Sequence, residues 1–165
     1  MQYHTHAAGG LVFGMLSVKY ALASFAGPSF LLFVVLGSLL PDIDHPKSKV
    51  GRWVPILPRL MKHRGLSHSL FGLGVSAAVL ILLFNFAGFT AWHISVAAMS
   101  VGFFSHLALD SLNPKGVHWF RPLHKVHFKG PIETGTIFES AILVLLIFAL
   151  GFLLRDFGLA IFHII

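Results

Sequence analysis

The chain has 165 residues, the length of one domain, with a net charge of +6 and no cysteine. Its mean hydropathy is +0.82 and only 11% of its residues are charged, against about 25% in soluble domains. That excludes an ordinary soluble globule and marks an integral membrane protein, and the lack of cysteine excludes disulfides and thiolate metal sites.

In chain order, five apolar segments are expected as helices. The first, 7–25, ends at the Gly27-Pro28 break. The second, 29–40, is short and stops at Pro41, which is expected to force the preceding residue out of helical geometry. The third, 66–86, begins near a Gly65 turn, with Ser67 or Ser69 as its cap. The fourth, 92–112, is closed by Asn113-Pro114, and the fifth runs over 137–154 with a continuation toward 165. Segments three to five have the length needed to cross about 30 Å of hydrocarbon; segment two is marginal and reads as tilted or partly inserted. The expected fold class is therefore an all-α polytopic membrane bundle in a single domain, 1–165, with about five membrane helices.

Ten of the twelve Lys and Arg residues fall in two loops, 45–65 and 113–135. The other two loops carry no charge. Positive-inside asymmetry then places both basic loops and the N-terminus in the cytoplasm and the C-terminus outside, so the net charge requires no nucleic acid. Ala21-Leu22-Ala23 has the form of a signal-peptidase site, but residues 1–10 contain no Lys or Arg and Lys19 interrupts the apolar core. A cleaved signal peptide is not expected.

Nearly all the remaining polar residues collect at one side of this topology, which was drawn from Lys and Arg alone. His4 and His6 open the first segment, and Asp42, Asp44 and His45 end the second. His63 and His68 open the third, His106 and Asp110 end the fourth, and Glu133 and Glu139 open the fifth. His106 and Asp110, four apart, project from one helical face and suit either a shared divalent cation or a plain hydrogen bond. "PDIDHP" (41–46) reads either as a polar turn or as a cation site. Asp42, Asp44 and Asp110 all lie near helix C-termini, where the macrodipole disfavours carboxylates and a cation would reverse the penalty. Oxygen and imidazole donors suit zinc, manganese or iron better than calcium. Arg64 reads as a phosphate partner or as a membrane-flank anchor. His118, His124 and His127 sit with Trp119, Phe120 and Phe128 in a basic loop that reads as an interfacial segment touching lipid headgroups.

At "TH" (5–6), "LLPDIDHP" (39–46), "HRGLSHS" (63–69) and "SHLALDSLNPKG" (105–116), with "TGTIFE" (134–139) as a looser fifth piece, the chain resembles the YdjM-like family of bacterial inner-membrane proteins, described as metal-dependent hydrolases. That family is distantly similar to the zinc-dependent phospholipase C and single-strand nuclease superfamily, all-helical enzymes that cleave phosphoesters with clustered zinc. The resemblance implies metal ligands at His6, Asp42, His63, His68, His106 and Asp110, with Asp44 and Glu139 as further candidates. Asn113 departs from it, at a position where Thr is expected.

The function expected is that of a multi-pass inner-membrane hydrolase with one to three divalent ions, zinc first. It would cleave a phosphoester of a lipid or lipid-linked substrate, with membrane lipids as its partners. Asp44 would orient or deprotonate the attacking water and Arg64 would neutralise phosphate charge. Rival expectations are a metal or proton transporter, which needs polar groups through the bilayer, and a non-catalytic scaffold stabilised by a closed metal site.

Overall fold

A computed structural model describes residues 1–22, 27–45, 48, 51–52 and 65–162, with side chains to 156. Among these residues five α-helices form: α1 (Tyr3–Tyr20), α2 (Pro28–Leu39), α3 (Leu70–Phe86), α4 (Trp92–Asp110) and α5 (Ile137–Phe162). No strand accompanies them; a single bridge pairs Val117 with Phe128.

The helix boundaries follow local chemistry. Pro28 opens α2 behind an extended Gly27, where a missing N–H costs nothing. Ser69 caps α3, its hydroxyl accepting from Gly72 N at 3.1 Å. Residues Leu66–His68 form a separate 3-10 turn rather than the first turn of that helix. Pro41 does not break the helical geometry of Leu40, contrary to expectation. Leu40 keeps φ −61° and ψ −41°, and the chain tightens into a 3-10 turn over Leu40–Asp44 with Pro41 in its first positions. There the missing N–H is one that would have no partner in the turn.

Trp92–Asp110 and the Ile137–Asp156 part of α5 are long and apolar enough to cross a membrane. At 17 and 12 residues, α3 and α2 are about 26 and 18 Å long, short of a hydrocarbon core of about 30 Å. The expectation is met in its coarse form: among the described residues the chain is all-helical, with two helices long and apolar enough to span a membrane; α3 is shorter than the segment 66–86 expected to cross.

α4 is the central element and packs most extensively on α2, then on α1. Val18, Phe30, Val34 and Ala98 form one buried core where α1, α2 and α4 meet, and Val12, Met15 and Leu153 join α1 to α5. Gly37 and Gly102 allow the α2–α4 approach. A Cβ on Gly102 would lie 2.6 Å from Ser38 N, and one on Gly37 2.6 Å from Met99 Cα. Both obstacles are backbone atoms, so neither position accommodates a side chain without separating the helices. This contact brings the C-terminal ends of α2 and α4 together.

Candidate metal centre

The end of the bundle where α1 begins and α2 and α4 finish contains five buried or half-buried side chains that could serve as metal ligands. His6 comes from the first turns of α1, Asp42 and His68 from the two 3-10 turns, and His106 and Asp110 from successive turns of α4. His6, His68 and His106 have no measurable exposure and Asp110 is 1% exposed. The Asp42 side chain retains 19%, so the cluster opens to its surroundings at that carboxylate.

Their donor atoms face one another at separations too long for hydrogen bonds. His6 Nε2 lies 3.4 Å from Asp110 Oδ1, and His68 Nε2 lies 3.7 Å from Asp42 Oδ1. His106 Nε2 stands 3.9 Å from Asp42 Oδ1 and 3.8 Å from Asp110 Oδ2. Ligands about 2.0–2.2 Å from a common ion are spaced about 3–4 Å from each other, which these distances match. Two triads, His6–Asp42–His106 and His68–His106–Asp110, have donor atoms within 4.8 Å of one another.

Burial without hydrogen bonding is the second sign. Neither ring nitrogen of His6, nor Nε2 of His106, has a hydrogen-bond partner, although all three atoms are buried. Leaving such groups unpaired costs on the order of 1–3 kcal/mol each, a cost that coordination of a cation removes. The residues therefore fit a divalent metal. The rings of His6 and His106 stack at 3.7 Å between centroids, and the Met1 amino nitrogen approaches Asp110 Oδ1 at 2.7 Å.

Two further contacts orient the imidazoles. His106 Nδ1 lies 2.7 Å from the carbonyl oxygen of Ser38. A carbonyl only accepts, so Nδ1 carries the proton and Nε2 presents its lone pair to the centre. His68 Nδ1 lies 3.4 Å from Asp44 Oδ2 and 3.2 Å from Ser67 Oγ, while Ser67 also donates to Asp44. Burial opposes a charge on His68, but the Asp42 and Asp44 carboxylates on its two sides outweigh it and raise the pKa to about 9. Burial likewise opposes ionisation of Asp42, and the imidazoles of His68, His106 and His6 hold its carboxyl well below the usual range.

The structure sorts the expected ligands. It brings together His6, Asp42, His68, His106 and Asp110. Asp44, 1% exposed, lies behind His68, engaged by Ser67, and belongs to neither triad. Glu139 is also outside both. Its Oε1 accepts from Gln2 N and from Thr5 Oγ1 at 3.1 Å, and its Oε2 accepts from Gly135 N at 2.6 Å. The carboxylate thus holds the start of α1 in place instead of facing the cluster. His63 and Arg64 lie outside the described residues. Asn113, the departure from the expected motif, binds Ile132 O and Thr134 Oγ1 through Nδ2 and fastens the loop after α4. Sequence reasoning missed Ser38, because a backbone carbonyl has no side-chain signature. The seryl and threonyl partners Ser67 and Thr5 lay within quoted motifs, but nothing in those motifs marked their roles.

The profile of the YdjM inner membrane protein family matches residues 1–164. Inner membrane protein YdjM of Escherichia coli K12 is 38% identical over 106 residues, covering 59% of this chain and 51% of that protein. The protein of the same name from Shigella flexneri matches to the same extent. The uncharacterized protein YvsG of Bacillus subtilis 168 is 31% identical over 113 residues, 66% of this chain and 67% of its own. The chain spans about half the length of the two YdjM proteins. No solved structure matches it. A match over nearly the whole chain, joined to the membrane-length helices, makes this a protein of the inner membrane that belongs to the YdjM family.

Proposed function

We propose that the chain is a membrane-bound, metal-dependent hydrolase that cleaves a phosphoester of a lipid or lipid-linked substrate. The observation that carries this reading is the convergence of His6, Asp42, His68, His106 and Asp110 at coordination spacing, with unpartnered nitrogens on His6 and His106. Both triads include His106, whose Nε2 faces Asp42 and Asp110, which favours one shared ion within the one to three expected. Imidazole and carboxylate donors suit zinc, manganese or iron. When bound, such an ion polarises a phosphoryl group and acidifies water.

The chain's own groups supply the rest. Asp42 is the candidate ligand that reaches the surface, so in this reading substrate phosphate approaches on its side and its carboxylate is the group that would accept a proton from water. Asp44, engaged by Ser67 and 3.4 Å from His68 Nδ1, serves in this reading to position His68. Arg64, outside the described residues, would neutralise phosphate charge in this reading. We read the bundle as five crossings with the centre at the cytoplasmic ends, the short α2 spanning a locally thinned bilayer.

Elemental analysis of the purified protein tests the centre. At least one zinc, manganese or iron per chain is expected, reduced in His106→Ala and Asp110→Ala and retained in His93→Ala. Equal content in all three variants removes the assignment. Turnover on a panel of phospholipids and polyprenyl phosphates tests the reaction, with Arg64→Lys expected to lose about tenfold if about 1.4 kcal/mol of transition-state stabilisation depends on the planar fork. A metal-loaded protein that cleaves nothing on the panel returns the reading to a metal-stabilised scaffold.

A further inference from the structure

The hairpin-like loop after α4, residues 113–130, is tied down by hydrogen bonds and takes no part in the candidate metal centre. Its two arms are joined by a single bridge, Val117 N to Phe128 O at 2.9 Å and Phe128 N to Val117 O at 3.0 Å. Trp119 fastens it at two points: its indole nitrogen donates to Ser111 Oγ at 2.7 Å, and its carbonyl accepts from Leu70 N at 2.8 Å. Those contacts tie the hairpin to the end of α4 that carries Asp110 and to the start of α3, two residues beyond His68. The position is therefore the boundary of the membrane-length helix Trp92–Asp110, beside the metal centre.

Its surface has two chemistries side by side. Leu123 at the tip is 86% exposed, and Phe120, Val126 and Phe128 are exposed as well. Lys115, Lys125 and Lys129 are exposed around them with Arg121 half-buried, and residues 111–132 contain no Asp or Glu. The rings of His118 and His127 stack 4.2 Å apart and nearly parallel. Burial, His127 and Arg121 together push the His118 pKa down; the fixed cations of the loop are its Lys and Arg residues. Apolar tips ringed by fixed cations match the boundary between acyl chains and anionic headgroups, where Leu and Phe insert and Lys and Arg meet phosphate.

We propose that the hairpin of residues 113–130 is a binding surface for anionic phospholipid of the surrounding leaflet, holding negatively charged headgroups beside the metal centre. It rests on the membrane placement of the chain and not on hydrolysis. Its charge pattern distinguishes it from a general lipid contact, since an apolar tip alone does not discriminate headgroups.

The test is retention of lipid by the intact protein. Protein reconstituted in bilayer discs of equal phosphatidylglycerol and phosphatidylcholine is released and its bound lipids are counted by native mass spectrometry. Wild type is expected to retain phosphatidylglycerol over phosphatidylcholine by about fivefold or more, one favourable cation contact being sufficient for that ratio. The combined Lys115→Gln, Arg121→Gln, Lys125→Gln, Lys129→Gln variant should lose the preference and keep its metal. Lys125→Gln with Lys129→Gln, both at exposed positions, carries the same test with a smaller loss if the fourfold variant does not fold. Leu123→Asp should lower retention of both lipids. Equal retention of the two lipids by wild type, or an unchanged preference in the neutralised variants, overturns the proposal. So does displacement of phosphatidylglycerol by millimolar inorganic phosphate, which would make this a soluble-phosphate site. Loss of metal in His106→Ala leaves the preference intact if the surface acts independently of the centre, so failure here and failure of the hydrolase reading are separate results.

Discussion

His68 is flanked by carboxylates, Asp42 beyond Nε2 at 3.7 Å and Asp44 beyond Nδ1 at 3.4 Å. If Asp44 aims the ring, Asp44→Asn should weaken metal binding by about 10–100-fold, read by competition with a chelator, while the helical content stays unchanged. The same flanking sets a pH dependence. The folded-state pKa of His68 is raised to about 9, above its ordinary value of about 6.5. In the metal-free protein its contribution to stability is therefore fully present below about pH 6.5 and is lost as pH rises through about 9. Chelator-treated protein should lower its unfolding temperature across that window. The metal-loaded protein should not, because coordination at Nε2 removes the titrating proton. Similar falls in both forms would show that His68 is not a ligand.

Among elements, the α2–α4 contact links packing to the centre. Gly102 sits against Val34 and Ser38, and the Ser38 carbonyl orients His106. Gly102→Ala must push α2 outward, so it should cost about 1–3 kcal/mol and also lower metal occupancy. Gly74, whose Cβ would meet nothing within 4 Å, is the matched control, and Gly74→Ala should retain metal. Loss of stability with full metal retention in Gly102→Ala would separate the contact from the site. At the start of α3, Ser69→Ala removes the cap that accepts from Gly72 N and should cost about 1 kcal/mol, measured as a shift in the unfolding transition.

Over the whole molecule, the open question of orientation has a direct measurement, since no native cysteine interferes. Cysteine at Lys125 should react only from the cytoplasmic side. Gly88 between α3 and α4 has φ +68°, which a cysteine tolerates poorly, so the exposed Thr90 is the better external position. Reaction of both from one face would break the five-crossing reading. At this scale the sequence by itself determined the class: long apolar runs punctuated by Gly27-Pro28, Pro41 and Asn113-Pro114 placed all five helices within a few residues. Hydrophobicity and chain breaks are local properties, so they survive without any knowledge of packing. It also placed the polar residues at one end, because helix ends and charge asymmetry are readable along the chain. Only the tertiary structure decided which of them converge. Asp42 and Asp110 meet imidazoles at coordination spacing, Asp44 backs a ring, and Glu139 accepts from the amides of Gln2 and Gly135. In sequence these four carboxylates look alike. A carboxylate is stabilised equally well by a cation, an imidazole N–H or the amides at a helix start, and which of these it meets depends on how α1, α2, α4 and α5 pack together.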